Sequence, residues 1–249
     1  MPHTRQGAVA TGRHNRAANI RLLLFALPMA TGAALAVNIL AGVDLRLAAV
    51  GLICLGAGCW ALALRGLTAP ARAQLRHRIG VGAIAGVVAT ASYDCARYGL
   101  VSIANFSFQP FHVFTRFGGL LVGRDAPVPW LYIAGIAFHV ANGIGFAIGY
   151  TVIVRRPQRW SAVVFAFALE LCMALLYPSW LRMTALQEFL QVSILGHAVY
   201  GLVLGTITAE HAGRHPLHSG SPIAEMRPAG GSFVDNCPQR RSSWPPPQP

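Results

Sequence analysis

Charge is what this 249-residue chain has least of. Only 11% of its residues are charged, against 54% hydrophobic, and the mean hydropathy is +0.49. Charge this sparse argues against a soluble domain, because runs of about 20 apolar residues are long enough to cross a hydrocarbon core of about 30 Å. Residues 22–42 and 47–64 carry no charged side chain at all, and the only ionisable acid or imidazole is His139 in 127–154, Glu170 in 160–181 and His197 in 189–209. A further stretch, from about 79 to 101, is uncharged until Asp94 and then carries Arg97. The expectation is an all-α, polytopic integral membrane bundle of six transmembrane helices.

Familiar catalytic and metal signatures are missing as well. The chain has no CxxC, no HExxH, no Glu-x-x-His and no GxSxG, and its glycine pairs lie inside apolar stretches with no preceding strand to make a phosphate loop. Cys54, Cys59, Cys95 and Cys172 fall within or beside spans and Cys237 in the tail, so the five cysteines read as small packing residues rather than a disulfide framework. No cofactor is expected, and a zinc, iron or manganese ion is a minority reading.

The formal net charge of +12 resembles a nucleic-acid signal until the arginines are located. They cluster at span ends: Arg5, Arg13, Arg16 and Arg21 before the first span, Arg65, Arg72, Arg76 and Arg78 between the second and third, and Arg155, Arg156 and Arg159 between the fourth and fifth. This is the positive-inside pattern, and it points to a bacterial-type inner (plasma) membrane protein with both termini cytoplasmic and no nucleic-acid partner. Ala34-Leu35-Ala36 resembles a signal cleavage site, but the apolar run of about 20 residues fits a retained first helix better.

Composition divides the chain further. Residues 1–19 and 212–249 lack hydrophobic periodicity and are expected to stay unfolded on the cytoplasmic side. His211, His215 and His218, at the head of the C-terminal tail, have no carboxylate or cysteine at ligand spacing. Residues 20–66 form a transmembrane hairpin and 79–209 a four-helix core. Within 102–129, Phe106, Phe108, Phe111, Phe114 and Phe117 beside His112, Arg116 and Arg124 read as an interfacial helix with its rings at the lipid boundary, with a re-entrant lid as the alternative.

In four spans the central ionisable residue stands on a row of mostly small residues at four-residue spacing: Gly82-Gly86-Thr90-Asp94, Gly135-His139-Gly143-Ala147, Ala162-Ala166-Glu170-Ala174-Pro178 and Ser193-His197-Gly201-Gly205. Such rows form ridges that let helices approach closely. They also form a parallel two-helix internal repeat, in which Asp94 corresponds to Glu170, His139 to His197 and Gly143 to Gly201.

A buried charge costs on the order of 2.5–3.5 kcal/mol on insertion scales, so these four groups are expected to face one another rather than lipid. Glu170, His139, His197 and Asp94 are the candidate acid–base residues, and Arg97, Tyr93, Asn142, Tyr200 and Arg116 the candidate binding residues. Glu170 is the leading proton donor or acceptor, the two imidazoles its polarising partners, and Asp94 with Arg97 a polar gate. Three functions fit: acid–base chemistry on, or binding of, a lipid-soluble molecule; a small proton-coupled transporter or channel; or a structural subunit whose polar ridge fixes helix register. The orientation is directly testable. Accessibility labels or reporter fusions at Gly12, Arg72, Asp125, Gln158, Leu186 and Gly220 should read in, in, out, in, out, in, and an outside signal at 72 or 158 overturns it.

Overall fold

A computed structural model describes residues 19–182 and 185–214. The flanks expected to remain unfolded, apart from residue 19 and 212–214, lie outside the described residues, as do His215, His218 and Cys237. Among the described residues there is no strand. The described residues form an all-α membrane bundle of eight helices: α1 (Asn19–Ala26), α2 (Ala30–Ala41), α3 (Leu45–Arg65), α4 (Ala69–Ala104), α5 (His112–Val122), α6 (Val128–Ile153), α7 (Arg159–Leu181) and α8 (Leu186–Arg214).

Local sequence sets the helix starts. The Asp44 side chain accepts from the Arg46 and Leu47 amides at the head of α3, and the Thr68 hydroxyl accepts from the Ala71 amide at the head of α4. Gln158 and Ser161 cap α7 reciprocally. The carboxyl end of α6 is held by a side chain from another helix: the Arg78 guanidinium donates to the Thr151 and Val154 carbonyls, both at 2.9 Å, and to the Arg155 carbonyl at 3.1 Å.

Helices α3, α4, α6, α7 and α8 are each long and apolar enough to cross a bilayer. The expected first span is not one straight helix: α1 and α2 meet at 74° across a three-residue break. Pro28 sits in that break and has no N–H, so the Leu24 carbonyl loses its helical donor. The Trp60 indole N–H replaces it at 2.7 Å, a repair hydrocarbon demands because no water is at hand.

The core is a row of four helices in the order α6, α4, α8, α7, and the small-residue ridges form its seams. Gly82 abuts Ile148 and Thr151, Gly86 abuts Ile144 and Ala147, and Gly143 abuts Thr90. On the other side Gly201 abuts Val163 and Ala166, and Gly205 abuts Arg159 and Ala162. The two seams share one register. In each, the glycine four residues after the histidine meets the residue four before the carboxylate, and the next pair, Gly86 with Ala147 or Ala162 with Gly205, lies one turn further on. The α4–α6 and α7–α8 pairs are therefore the two copies of the internal repeat, built as antiparallel hairpins. Helix α5 is inserted in the first copy only.

Helix α5 corrects one expectation. Phe114 and Phe117 are not at the lipid boundary but are 6% and 3% exposed. The helix lies flat on α6, where Gly118 meets the Leu131 carbonyl and Gly135 the Phe114 carbonyl. Backbones this close leave no room for rings between them, so the rings turn inward over the bundle. Because Gly201 and Gly86 face backbone across their seams, Gly201→Leu or Gly86→Leu should cost roughly 1–3 kcal/mol or more. Gly51→Leu, where nothing lies within 4 Å, serves as the control. Thermal unfolding in detergent measures the difference, and equal loss in all three variants would refute the seam.

Candidate functional site

Each repeat hairpin brings its carboxylate and imidazole together. Asp94 Oδ2 lies 3.0 Å from His139 Nε2, and Glu170 Oε2 lies 2.7 Å from His197 Nδ1. The expected single cluster of four is thus two pairs. Tyr93 of α4 stands between them, its ring centroid 5.8 Å from that of His139 and 5.0 Å from that of His197. Gly196 makes this crossing feasible, since a Cβ there would sit 2.7 Å from the Tyr93 ring and 3.0 Å from the Arg97 stem.

The second pair is the deeper. Glu170 is 5% exposed and His197 9%. Glu170 Oε2 also accepts from the Ser193 hydroxyl at 2.5 Å. His197 Nδ1 meets a second acceptor, the Ser193 carbonyl, at 3.1 Å. A ring nitrogen between a carboxylate and a carbonyl carries the proton. This leaves Nε2 as the His197 nitrogen free to face a ligand, with Glu170 behind the ring stabilising any positive charge it gains.

The first pair is partly open, with side-chain exposures of 24% for Asp94 and 18% for His139. Arg97 Nη1 approaches Asp94 Oδ1 at 3.4 Å, confirming the expected ion pair one turn along α4. The same guanidinium donates to the Pro110 carbonyl at 3.2 Å and lies 4.7 Å above the Tyr93 ring. Phe114 of α5 covers the His139 ring at 5.1 Å between centroids.

Two cavities adjoin these pairs. An apolar chamber of about 330 Å³ runs between α2 and the core helices, and His139, His197, Tyr93, Asn142, Tyr200 and Thr90 supply its polar wall. A vestibule of about 390 Å³ at the α5 end is lined by Arg97, Arg116, Arg182, His112, His139 and Gln109 among others. Tyr93, Phe117, His139, Met173 and Tyr177 line both. Glu170 and Asp94 line neither, whereas both imidazoles line the chamber. Buried polar atoms without a partner collect here too: Thr90 Oγ1, Asn142 Oδ1, Arg97 Nε and Glu170 Oε1. Such atoms are scarce in folded proteins, and their concentration marks a place built to meet something else.

Arg97, Tyr93, Asn142, Tyr200 and Arg116 all line one cavity or both. Tyr98, next to Arg97 on α4, lines neither cavity; it is 63% exposed and stacks on Phe111. Tyr200 has a structural tie as well, its hydroxyl donating to the Gly143 carbonyl at 2.6 Å. Ser193, Arg182 and Thr90 were missed as site residues, although Ser193 and Thr90 stand on the small-residue rows. No group of three or more His, Cys, Asp or Glu side chains among the described residues is placed to hold a metal ion.

Fold and site together define an all-helical membrane protein with two intramembrane carboxylate–imidazole pairs flanking a ligand-sized cavity. The chain belongs to a family of unknown function, DUF6789, which it matches over residues 76–219, more than half its length and the part that holds both pairs. No curated protein and no solved structure matches it. The proton position on His197 can be checked directly. In protein labelled with ¹⁵N-histidine, His197 should show a protonated Nδ1, and an Nε2–H tautomer with bare Nδ1 would contradict the geometry.

Proposed function

We propose that this protein binds a lipid-soluble molecule inside the bilayer and carries out acid–base chemistry on it, with the inner (plasma) membrane as its location and both termini cytoplasmic. One observation carries the reading: the imidazoles of His139 and His197, each backed by a carboxylate, line the same apolar chamber. A neutral imidazole with Nδ1–H held by Glu170 takes a proton at Nε2, and the carboxylate steadies the imidazolium until the proton is returned. The chamber supplies an apolar setting in which this transfer competes with no bulk water. Its volume falls at the lower end of the usual range for small-molecule sites.

Proton-coupled transport is the second reading, favoured by the succession Asp94, His139, Tyr93, His197, Glu170, in which each member touches the next. One variant separates the readings. Glu170→Gln should keep the fold and abolish activity, because it preserves shape and removes the charge that balances the imidazolium. In proteoliposomes, Glu170-dependent movement of protons or solute favours transport. Turnover of a lipid extract without flux favours the enzyme, and wild-type levels of both in the variant would refute either role for the pair.

A further inference from the structure

The vestibule differs from the apolar chamber in one chemical respect: it is strongly basic. Three guanidinium groups, of Arg97, Arg116 and Arg182, line it together with the imidazoles of His112 and His139, and no carboxylate lines it. The nearest acids are already engaged. Asp94 lies against His139 and, at 3.4 Å, Arg97. Glu188 accepts from the Ser107 hydroxyl at 3.0 Å and the Phe108 amide at 2.7 Å, which ties the 105–111 loop to α8. Among the described residues Asp94, shared with His139, is the one carboxylate within salt-bridge reach of these three guanidinium groups, and Arg97, 5% exposed, keeps a buried Nε without an acceptor. A buried guanidinium with a spare donor wants an oxyanion.

Arg182 adds an independent sign. It closes α7 in the left-handed region, φ 50°, where glycine or asparagine is the usual residue. A long cationic side chain at such a position brings backbone cost, and here that side chain lines the vestibule. Arg116 reaches the same space from α5, the helix folded over the site.

Because the basic vestibule and the apolar chamber abut at Tyr93, Phe117, His139, Met173 and Tyr177, we propose that the ligand is an anionic amphiphile. Its carboxylate or phosphate-monoester head is held by Arg97, Arg116 and Arg182, and its hydrocarbon tail lies in the chamber beneath α2. A neutral lipid leaves the guanidinium groups unmatched, and a small free anion leaves the chamber unused. The head–tail junction then passes His139, within reach of the first carboxylate–imidazole pair. The assignment rests on the lipid-soluble-ligand reading above and narrows it to one class.

The test uses the full chain in phosphatidylcholine nanodiscs, with empty nanodiscs subtracted, and radiolabelled dodecyl phosphate as probe. Saturable binding is expected, with competition by dodecanoate but not by dodecanol, dodecyltrimethylammonium or inorganic phosphate. Arg116→Gln and Arg182→Gln should each weaken binding roughly tenfold, the worth of a charge-assisted contact, while Arg116→Lys should retain most of it. Circular dichroism and elution volume identify any variant that fails to fold, in which case the wild-type competition series decides. Equal competition by dodecanol, tight binding of inorganic phosphate alone, or the absence of saturable binding would overturn the inference. Selective anion binding without any Glu170-dependent reaction fells the acid–base reading alone, whereas Glu170-dependent turnover of a neutral lipid fells this one alone.

Discussion

A carboxylate surrounded by hydrocarbon must find a donor, and much of this bundle follows from that requirement. Asp94 and Glu170 find theirs on the neighbouring helix of their own hairpin, at His139 and His197. An imidazole can reach a carboxylate across a helix seam only if the backbones approach closely, which is why the turns beside each pair are glycine, alanine or threonine. Small residues do not merely tolerate the polar pairs. They set the distance at which the pairs form, and removing either feature leaves the other without purpose.

Much of this geometry was legible in the sequence because it depends on spacing. The four-residue rows, the pairing of Asp94 with Arg97 and the correspondence of Asp94 with Glu170 and of His139 with His197 all follow from helical periodicity, which a membrane span obeys strictly. Which carboxylate meets which imidazole follows once the hairpins are taken as repeats. Two features were not legible. The imidazoles rather than Glu170 line the chamber, because depth along a helix axis says nothing about which group lies nearer a cavity between helices. Phe114 and Phe117 turn inward because Gly118 and Gly135 lie against backbone, and that contact joins two segments whose meeting no local pattern announces.

The break between α1 and α2 shows the same economy of polar groups at a place with no ionisable residue. Pro28 removes one donor, and the Leu24 carbonyl it would strand is met by Trp60 of α3. Glycines on neighbouring helices receive the broken stretch: Gly56 abuts the Leu27 backbone, and Gly149 abuts Met29 and Phe25. The bend therefore works as a fixed joint. It sets α2 beside the chamber, where Gly32, Ala33, Leu35, Ala36 and Ile39 form one wall.

That wall comes from outside the segment shared with the family. The segment shared with the family, 76–219, contains both carboxylate–imidazole pairs, Tyr93 and all three vestibule arginines, while α1, α2 and α3 lie outside it. Helix α2 contributes only apolar and small residues to the chamber and touches α6 and α7 sparsely. Its main packing partner is α3, so it walls the chamber as part of the hairpin that lies outside the family segment. The polar work falls to the two repeated hairpins and to α5. The first hairpin carries α5 between its two helices and a partly open, arginine-paired carboxylate. The second kept a short connection and a sealed one, so the two copies differ in solvent access far more than in architecture.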